Sequence, residues 1–202
     1  MLKSALFGYH HRAIHVPRVG RVAGALGRAI GSAASVLDVG CGDGTVARDV
    51  AARVGAGRVA GVDVKVRVGA AIEVTAYDGL RLPFEDDAFE AVLIADVLHH
   101  CVEPLAVLRE ALRVASRVVA VKDHFRFGPV SNGILYAMDR VGNAAPGVDV
   151  PGTYFSPSEW TAIVHDAGGH VARLEWPLQI HDYPWRLVTG DQLQFAAAVE
   201  PR

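Results

Sequence analysis

A glycine-rich turn is the part of this sequence whose residue types point most directly to ligand binding. It reads Val36-Leu37-Asp38-Val39-Gly40-Cys41-Gly42-Asp43-Gly44 and stands between a strand pattern and a helical pattern. Glycines at such a junction let the backbone approach a ligand closely and direct amide groups at it. The turn therefore predicts a site for a small ligand.

The spacing within this turn disfavours two common nucleotide-binding loops. A dinucleotide fingerprint wants its third glycine three places after the second, and this chain has Thr45 there. A phosphate-binding P-loop is excluded, because no Gly-Lys-Ser/Thr follows and Asp43 would repel phosphate. The ligand is therefore expected to be neither NAD, FAD nor a nucleoside triphosphate.

Two further acids follow the glycine-rich turn. Asp63 ends a strand pattern about 20 residues past the turn, a position from which a carboxylate accepts both ribose hydroxyls in nucleoside-binding βαβ units. The alternative for Asp63 is an exposed loop acid. Asp78 precedes Gly79 and is also explained as an ordinary turn residue. The pattern favours a ligand that contains a nucleoside.

Histidines and acids also follow the two strongest apolar runs in the middle of the chain. His99 and His100 come shortly after Asp96, and His124 comes directly after Asp123. Ligands of open parallel sheets bind beyond the carboxyl ends of strands, so these side chains are expected near the ligand. Histidine titrates near neutrality and can therefore take up a proton there.

Four segments, taken in order, resemble the class I S-adenosylmethionine-dependent methyltransferases, in the branch that acts on small molecules. The glycine-rich turn is similar to their first motif, an acidic residue followed by Gly-x-Gly-x-Gly. The other segments are Gly61-Val62-Asp63-Val64, Tyr77-Asp78-Gly79 with Leu82-Pro83-Phe84, and Asp96-Val97-Leu98-His99-His100. The resemblance spans roughly residues 33–123. It implies an enzyme whose cofactor is S-adenosyl-L-methionine.

The resemblance implies a residue for each part of this cofactor. Asp63 would accept the ribose hydroxyls, Val64 would lie against the adenine, and Asp78 would accept from the adenine amine. Asp38 would order the loop and the methionine end, where the main chain of Gly40 supports the tail. The implied cofactor-binding set is Asp38, Gly40, Cys41, Gly42, Asp63, Val64, Asp78, Gly79 and Asp96.

Methyl transfer from a sulfonium depends chiefly on holding donor and acceptor in contact, and a base is needed only when the nucleophile carries a proton of high pKa. The predicted base is His100 or His124, with Asp123 as the group that orients it; bonding to backbone is the alternative. Some methyltransferases of this fold hold magnesium, for which Asp96 and Asp123 would be the carboxylates. His124 stands where an oxygen ligand would be wanted, so no metal is predicted.

Strand and helix patterns alternate along the chain and must position these residues. We predict strands at Ser35–Val39, Arg58–Val62, Ile72–Ala76, Ala91–Ala95, Arg117–Val121, His170–Trp176 and Gln192–Glu200. Helices are predicted at Thr45–Val54, Glu103–Ala115 and Val130–Val141, and after Ser156. The expected fold is α/β: a Rossmann-like, seven-stranded, mostly parallel sheet with an antiparallel edge strand and helices on both faces.

We predict one domain over residues 1–202. An N-terminal helical cap covers 1–34, the cofactor-binding core covers 35–123, and an acceptor-side lid with the C-terminal strands covers 124–202. The Gly- and Pro-rich connection Gly142–Thr153 is predicted to be the lid. The cap has a helical apolar stripe, expected to pack on the sheet: Val19, Val22, Leu26 and Ile30.

Composition fits a globular protein: of 202 residues 51% are hydrophobic, and the net charge is −2. Two cysteines without a Cys-x-x-Cys pair favour a reducing, cytoplasmic setting. No run reaches the roughly 18 apolar residues of a membrane-spanning helix. The basic N-terminal stretch leaves contact with a membrane surface as an alternative role, and nucleic acid is not an expected partner.

Two functions remain open at this point. The first is methyl transfer to a small-molecule or lipid-like acceptor. Four aromatic residues either form the wall of its substrate site or belong to the hydrophobic core: Trp160, Trp176, Tyr183 and Trp185. The second is a catalytically silent cofactor-binding module that acts through a partner protein. Its support is the short connection after Asp63, which leaves too few residues for a full helix.

Overall fold

The computed structural model describes residues 16–143, 152–181 and 190–202 of the chain. Its helices are α1 (Val16–Ile30), α2 (Thr45–Val54), α3 (Pro104–Val114), α4 (Pro129–Asn143) and α5 (Pro157–Asp166). Its strands are β1 (Ser35–Val39), β2 (Arg58–Asp63), β3 (Val74–Ala76), β4 (Phe89–Ala95), β5 (Ala115–His124), β6 (Gly169–Glu175) and β7 (Gln194–Pro201). Most of the predicted lid lies outside the described residues, as do Tyr183 and Trp185.

All seven strands form one sheet in the order β3-β2-β1-β4-β5-β7-β6. The pairs from β3 to β5 are parallel, and β7 runs antiparallel to both β5 and β6. The predicted α/β class and mostly parallel sheet are confirmed. The reversed strand β7 lies one place in from the edge, and β6 completes that edge by antiparallel pairing.

Helices cover both faces of the sheet, which explains why its central strands are apolar at nearly every position. Residues Val36, Leu37 and Val39 of β1 are completely buried. One core lies between the sheet and the helices α1 and α2. The other lies between the sheet and the helices α3 and α5.

Helix α1 packs its predicted stripe on the sheet. The residues Val19, Val22, Leu26 and Ile30 expose 5% or less of their surface. Because this apolar face is turned toward the sheet, it is not available to a membrane. No helix of the described residues combines the length and the apolar character needed to cross a membrane.

Local sequence explains where several elements begin and end. Helix α2 starts after Gly44 and is followed by Gly55, both with positive φ, and its predicted bounds are confirmed. Helix α5 begins with the predicted capping box, in which Ser156 and Glu159 exchange side-chain and backbone hydrogen bonds. The 63–74 connection contains no helix, as its length predicted.

Strand β5 is longer than predicted, because it pairs with β4 on one side and β7 on the other. The sequence pattern predicted a strand over Arg117–Val121, whereas the pairing with β7 continues to His124 opposite Gln194. Two polar residues, Asp123 and His124, therefore belong to the strand itself. Their positions are held by a ladder on the β7 side rather than by a loop.

Candidate active site

The carboxyl ends of β1, β2, β4 and β5 meet at one edge of the sheet. β1 pairs with β2 on one side and β4 on the other, so Asp38 lies opposite both Gly61 and Leu93. Neighbouring strands of a sheet lie about 4.8 Å apart. The polar residues that end these strands are therefore brought together in one small region.

The glycine-rich turn has a backbone that only glycine accommodates well. Gly40, Gly42 and Gly44 have φ values of 71°, 57° and 72°. A Cβ added to Gly40 would lie 2.6 Å from Cγ2 of Val97, and one on Gly44 would lie 2.5 Å from Cγ1 of Ile72. Glycine is thus required at both positions by dihedral angle and by close packing.

Asp63 is fixed against the glycine-rich turn by two backbone amides. Gly42 N donates to its Oδ2 at 2.8 Å, and Lys65 N donates to its Oδ1 at 2.9 Å. Each carboxylate oxygen can accept a second hydrogen bond. The carboxylate is therefore held in place and still has acceptor capacity for a ribose diol.

Asp38 is a buried carboxyl that lacks a matching donor. It is 2% exposed, and its Oδ1 has no hydrogen-bond partner among the described residues. Burial, together with the charges of Asp63 and Asp43, raises the pKa of Asp38 to about 8. A cationic group bound beside Asp38 would offset the free-energy cost of burying its charged carboxylate. The ammonium of an amino-acid tail is such a group.

The predicted adenine side is open and partly exposed. Val64 is 66% exposed, and its Cγ1 lies 3.3 Å from where a Cβ on Gly79 would be. The Oδ1 of Asp78 accepts from the amides of Leu80 and Arg81, which lowers the pKa of Asp78. The turn thus orients Asp78, while Val64 and Gly79 lie side by side.

Cys41 fills space between the glycine-rich turn and β2. It is 8% exposed, and its Sγ would lie 2.5 Å from a Cβ on Gly61. Burial, with nearby carboxylates, raises the pKa of the Cys41 thiol to about 12. Cys41 is therefore a protonated thiol that packs against β2.

Asp96 forms the centre of a buried ion-pair cluster that the sequence did not predict. Its carboxylate accepts from Lys122 Nζ at 2.5 Å and from Arg18 at 2.7 Å. Asp96 has a φ of 57°, unusual for a residue other than glycine, and strain of this kind collects at functional sites. Burial alone would raise the pKa of Asp96, but Lys122 and Arg18 hold it well below its usual range.

The ring of His99 contacts the carboxylate of Asp123. Its Nδ1 lies 2.6 Å from Oδ1 of Asp123, and its Nε2 lies 3.3 Å from Oδ2 of Asp139, without hydrogen-bond geometry. Burial opposes protonation, but Asp123 and the other carboxylates raise the pKa of His99 to about 9. His99 is therefore held as an imidazolium between two carboxylates.

Sequence reasoning placed His99, His100 and His124 near the ligand but chose only His100 and His124 as candidate bases. His99 and His100 both belong to a short 3-10 turn, and their rings lie 4.1 Å apart. No pattern in the sequence told which of the two would be buried. The structure buries His99 and leaves His100 half-buried beside it.

His124 is a neutral imidazole with an available nitrogen. Its Nδ1 is buried and has no hydrogen-bond partner among the described residues. That nitrogen lies 3.6 Å from Oδ1 of Asp96 and 3.5 Å from Oδ1 of Asp123. Burial, followed by the charge of Lys122, lowers the pKa of His124. Of the predicted catalytic residues, His124 is therefore the one suited to accept a proton.

The charges of this cluster balance one another. Three carboxyl groups (Asp96, Asp123 and Asp139) face three cationic groups (Arg18, Lys122 and His99). Nitrogen and oxygen atoms of Asp96, His99, Asp123 and His124 all lie within 4.8 Å of one another, close enough for a metal ion. A divalent cation would have to displace the contact of His99 with Asp123. The absence of a metal stays a prediction, which this charge balance favours.

Comparisons with known proteins agree with the predicted fold class. Residues 37–117 match the family model for a methyltransferase domain. A putative methyltransferase from Haloferax volcanii, solved in complex with the Trm112 methyltransferase activator, is 16% identical. That match covers 98% of this chain and 96% of the other, with a TM-score of 0.71.

Two further solved structures share the fold. A SAM-dependent methyltransferase from Aquifex aeolicus is 21% identical over 86% of this chain and 85% of that one, with a TM-score of 0.58. Magnesium protoporphyrin IX methyltransferase from Synechocystis PCC 6803, with bound SAH, is 17% identical over 94% and 85%, with a TM-score of 0.59. Residues 37–117 of this chain are therefore similar to a methyltransferase domain, and the chain shares its fold with methyltransferases that use S-adenosylmethionine.

Proposed function

We propose that this chain methylates a small-molecule acceptor that loses a proton as it reacts, and that His124 takes up that proton. The observation that carries the proposal is the neutral imidazole of His124 at the carboxyl end of β5, whose Nδ1 is buried, has no hydrogen-bond partner among the described residues and lies near the carboxylates of Asp96 and Asp123. It lies at the sheet edge where the glycine-rich turn also ends. Donor and base are thus placed in one region.

The cofactor would be held by the residues that already fit its parts. Asp63 accepts the ribose hydroxyls, Asp38 faces the ammonium of the tail, and the amides of Gly40 and Gly42 line the turn. Val64 and Gly79 flank the adenine, with Asp78 at its rim. When bound, S-adenosylmethionine supplies an electrophilic methyl group on a sulfonium. These assignments rest on the free acceptor capacity of Asp63 and the unmatched carboxyl of Asp38.

His124 is suited to the base role because its surroundings compensate for the proton that it gains. Before the reaction, burial and Lys122 keep it neutral. After proton uptake, the carboxylates of Asp96 and Asp123, 3.6 Å and 3.5 Å from Nδ1, would stabilise the imidazolium. His99 is already paired with Asp123 and would act as a positioning residue.

A small-molecule acceptor is favoured by the enzymes that share the fold. Their names include magnesium protoporphyrin IX methyltransferase and mitomycin 7-O-methyltransferase. A lipid-like acceptor is a second form of the same proposal. We place the acceptor at the carboxyl ends of β4 and β5, in a single domain whose segment 124–202 lies on the acceptor side.

The proposal is tested by a screen for transfer of labelled methyl groups to small hydroxylated, amino and lipid-like compounds. We expect a labelled product with the wild type and about 100-fold slower formation with His124→Asn. His165→Asn, an exposed histidine of α5, is the matched control and should keep full activity. Full activity of His124→Asn would overturn the assignment of the base.

A second candidate function, action together with a partner protein, is favoured by one comparison. The Haloferax volcanii structure is a complex with an activator. In this chain the edge strand β3 has three residues, and Val64, Val66 and Val68 in the preceding connection are exposed by 66%, 48% and 107%. A partner could cover this edge. Cofactor binding and turnover by the purified chain alone would rule this candidate out.

A further inference from the structure

We propose that a cavity beside β5 binds the ring of the methyl acceptor, and that the acceptor is a neutral hydroxylated aromatic compound. The inference rests on the proposed methyl transfer and adds the class of substrate. The cavity has a volume of about 530 Å³, within the range of small-molecule sites. Among the described residues its lining includes Phe127, Trp176, Leu178, Asp191, Gln192 and Leu193.

Two aromatic side chains in this lining are unusually exposed. Phe127 and Trp176 are 49% and 47% exposed, and their ring centroids lie 5.4 Å apart with planes tilted by 36°. Adjacent exposed aromatic surface on a cavity marks a binding site, because leaving it in water is unfavourable. A flat ligand ring would cover the exposed surfaces of both Phe127 and Trp176 by stacking or edge contacts.

The aromatic pair is held rigidly from behind. Trp176 Nε1 donates to the carbonyl oxygen of Gln192 at 2.9 Å, which sets the orientation of the indole. The ring of Phe125 lies 6.3 Å from both Phe127 and Trp176 and stacks on Phe195 at 4.0 Å. A wall ordered in advance loses little entropy when a ring binds to it.

Asp191, the acid in the described part of the lining, already has hydrogen-bond partners. Oδ2 of Asp191 accepts from the amides of Ile180 and His181, and its Oδ1 lies 2.6 Å from Nδ1 of His181. A ligand cation would have to compete with these partners. The cavity therefore favours a neutral ring over an aromatic amine cation.

The strand register places one wall of this cavity next to the end of β5, the strand that carries His124. His124 pairs with Gln194 across β5 and β7, and Phe125, the residue that follows β5, donates its amide to Leu193 O at 2.6 Å. Leu193 lines the cavity, as does Phe127, three residues past His124. A ring bound there would present a substituent toward the end of β5. A phenolic hydroxyl, with a pKa of about 10, is a substituent that needs a base.

The test measures binding of 2-naphthol to the whole chain by titration calorimetry, with S-adenosylhomocysteine affinity measured on the same samples. We expect Trp176→Ala and Phe127→Ala each to weaken naphthol binding at least tenfold and to leave cofactor affinity unchanged. Trp176→Phe keeps a ring and should bind within a few-fold of wild type. Val102→Ala, at an exposed position that does not line the cavity, is the surface control.

Unchanged naphthol affinity in both alanine variants, or no binding to the wild type, would overturn the inference. Circular dichroism checks that each variant is folded. If an alanine variant does not fold, Trp176→Phe still tests whether the aromatic ring at position 176 is needed for binding. Because the readout is binding, its result is separate from methyl transfer. If the wild type transfers methyl groups but both alanine variants bind naphthol as the wild type does, only the assignment of the cavity is wrong. If naphthol binding depends on Trp176 but no methyl transfer is detected, only the proposed function is contradicted.

Discussion

At the scale of single residues, two histidines near the ends of β4 and β5 differ because of the charges around them. His99 lies between the carboxyl groups of Asp123 and Asp139, which raise its pKa to about 9. His124 lies two residues after Lys122, and burial, followed by the charge of Lys122, lowers its pKa. Near neutral pH, histidine is thus a protonated cation at position 99 and a neutral imidazole at position 124.

Asp63→Ala should weaken cofactor binding by roughly 1 to 3 kcal/mol, because it removes a charged acceptor from two ribose hydroxyls. Titration calorimetry with S-adenosylhomocysteine measures the change. Asp63→Asn, which can still accept from the Gly42 amide, separates loss of turn geometry from loss of charge. An Asp63→Ala variant with wild-type affinity would reject the ribose role.

Cofactor binding near neutral pH should release a proton from Asp38. Its pKa of about 8 means that the carboxyl is largely protonated at pH 7, and an ammonium bound beside it would favour the charged form. Calorimetry in two buffers of different ionisation enthalpy counts the protons released. We expect release approaching one proton per site, absent in Asp38→Asn. Equal proton release in the variant would contradict the assignment.

At the scale of elements, helices that are distant in the sequence complete the site. Arg18 of α1 reaches Asp96, 78 residues further along the chain. Asp139 of α4 contacts His99 and accepts from the hydroxyl of Tyr154. Sequence patterns predicted the glycine-rich turn and most strands, because these depend on local apolar spacing. They could not predict Arg18, Asp139 or the buried Lys122, because these depend on which elements pack together.

Asp139→Asn should loosen α4 from the sheet. It removes one of the two carboxylates beside His99 and weakens the hydrogen bond from Tyr154, so amide hydrogen exchange in α4 should become faster. Arg140→Gln alters the next residue of the same helix, whose side chain contacts Tyr136 instead, and serves as the control. Unchanged exchange in Asp139→Asn would show that α4 is held by other contacts.

At the scale of the whole molecule, stability should fall as pH rises from about 6.5 to about 9. The folded-state pKa of His99 is raised to about 9. The stabilisation that protonated His99 adds to the free energy of unfolding is therefore complete below its unfolded pKa and is lost as pH rises through about 9. The raised pKa of Asp38, about 8, acts in the same direction, because folding then requires burial of a charge. The combined loss is on the order of a few kcal/mol.

Thermal unfolding across this pH range measures the effect. We expect Tm to decline for the wild type, and the decline to be smaller in His99→Gln and in Asp38→Asn than in the surface variant Asp166→Asn. A wild-type Tm that is constant over the range would show that neither group is titrated differently in the folded and unfolded chain.

The class of fold could be predicted from the sequence because strand patterns and helix patterns alternate along the chain, and the glycine-rich turn connects a strand to a helix. This order is typical of a parallel sheet. The full extent of β5 could not be predicted, since pairing with β7 carries the strand into the polar residues Asp123 and His124. The choice between His99 and His100 also depended on packing. What the sequence placed correctly was therefore local, and what it missed arises where distant strands and helices meet.

The pH dependence of single-turnover methyl transfer tests the central claim, that this chain moves a methyl group with His124 as the base. With labelled cofactor and an acceptor from the screen, the wild-type rate should rise with pH through a group whose pKa lies below about 6.5, and then level off. His124→Asn should be about 100-fold slower and lack this rise. A wild-type rate that does not rise, or the same rise in His124→Asn, would contradict the account.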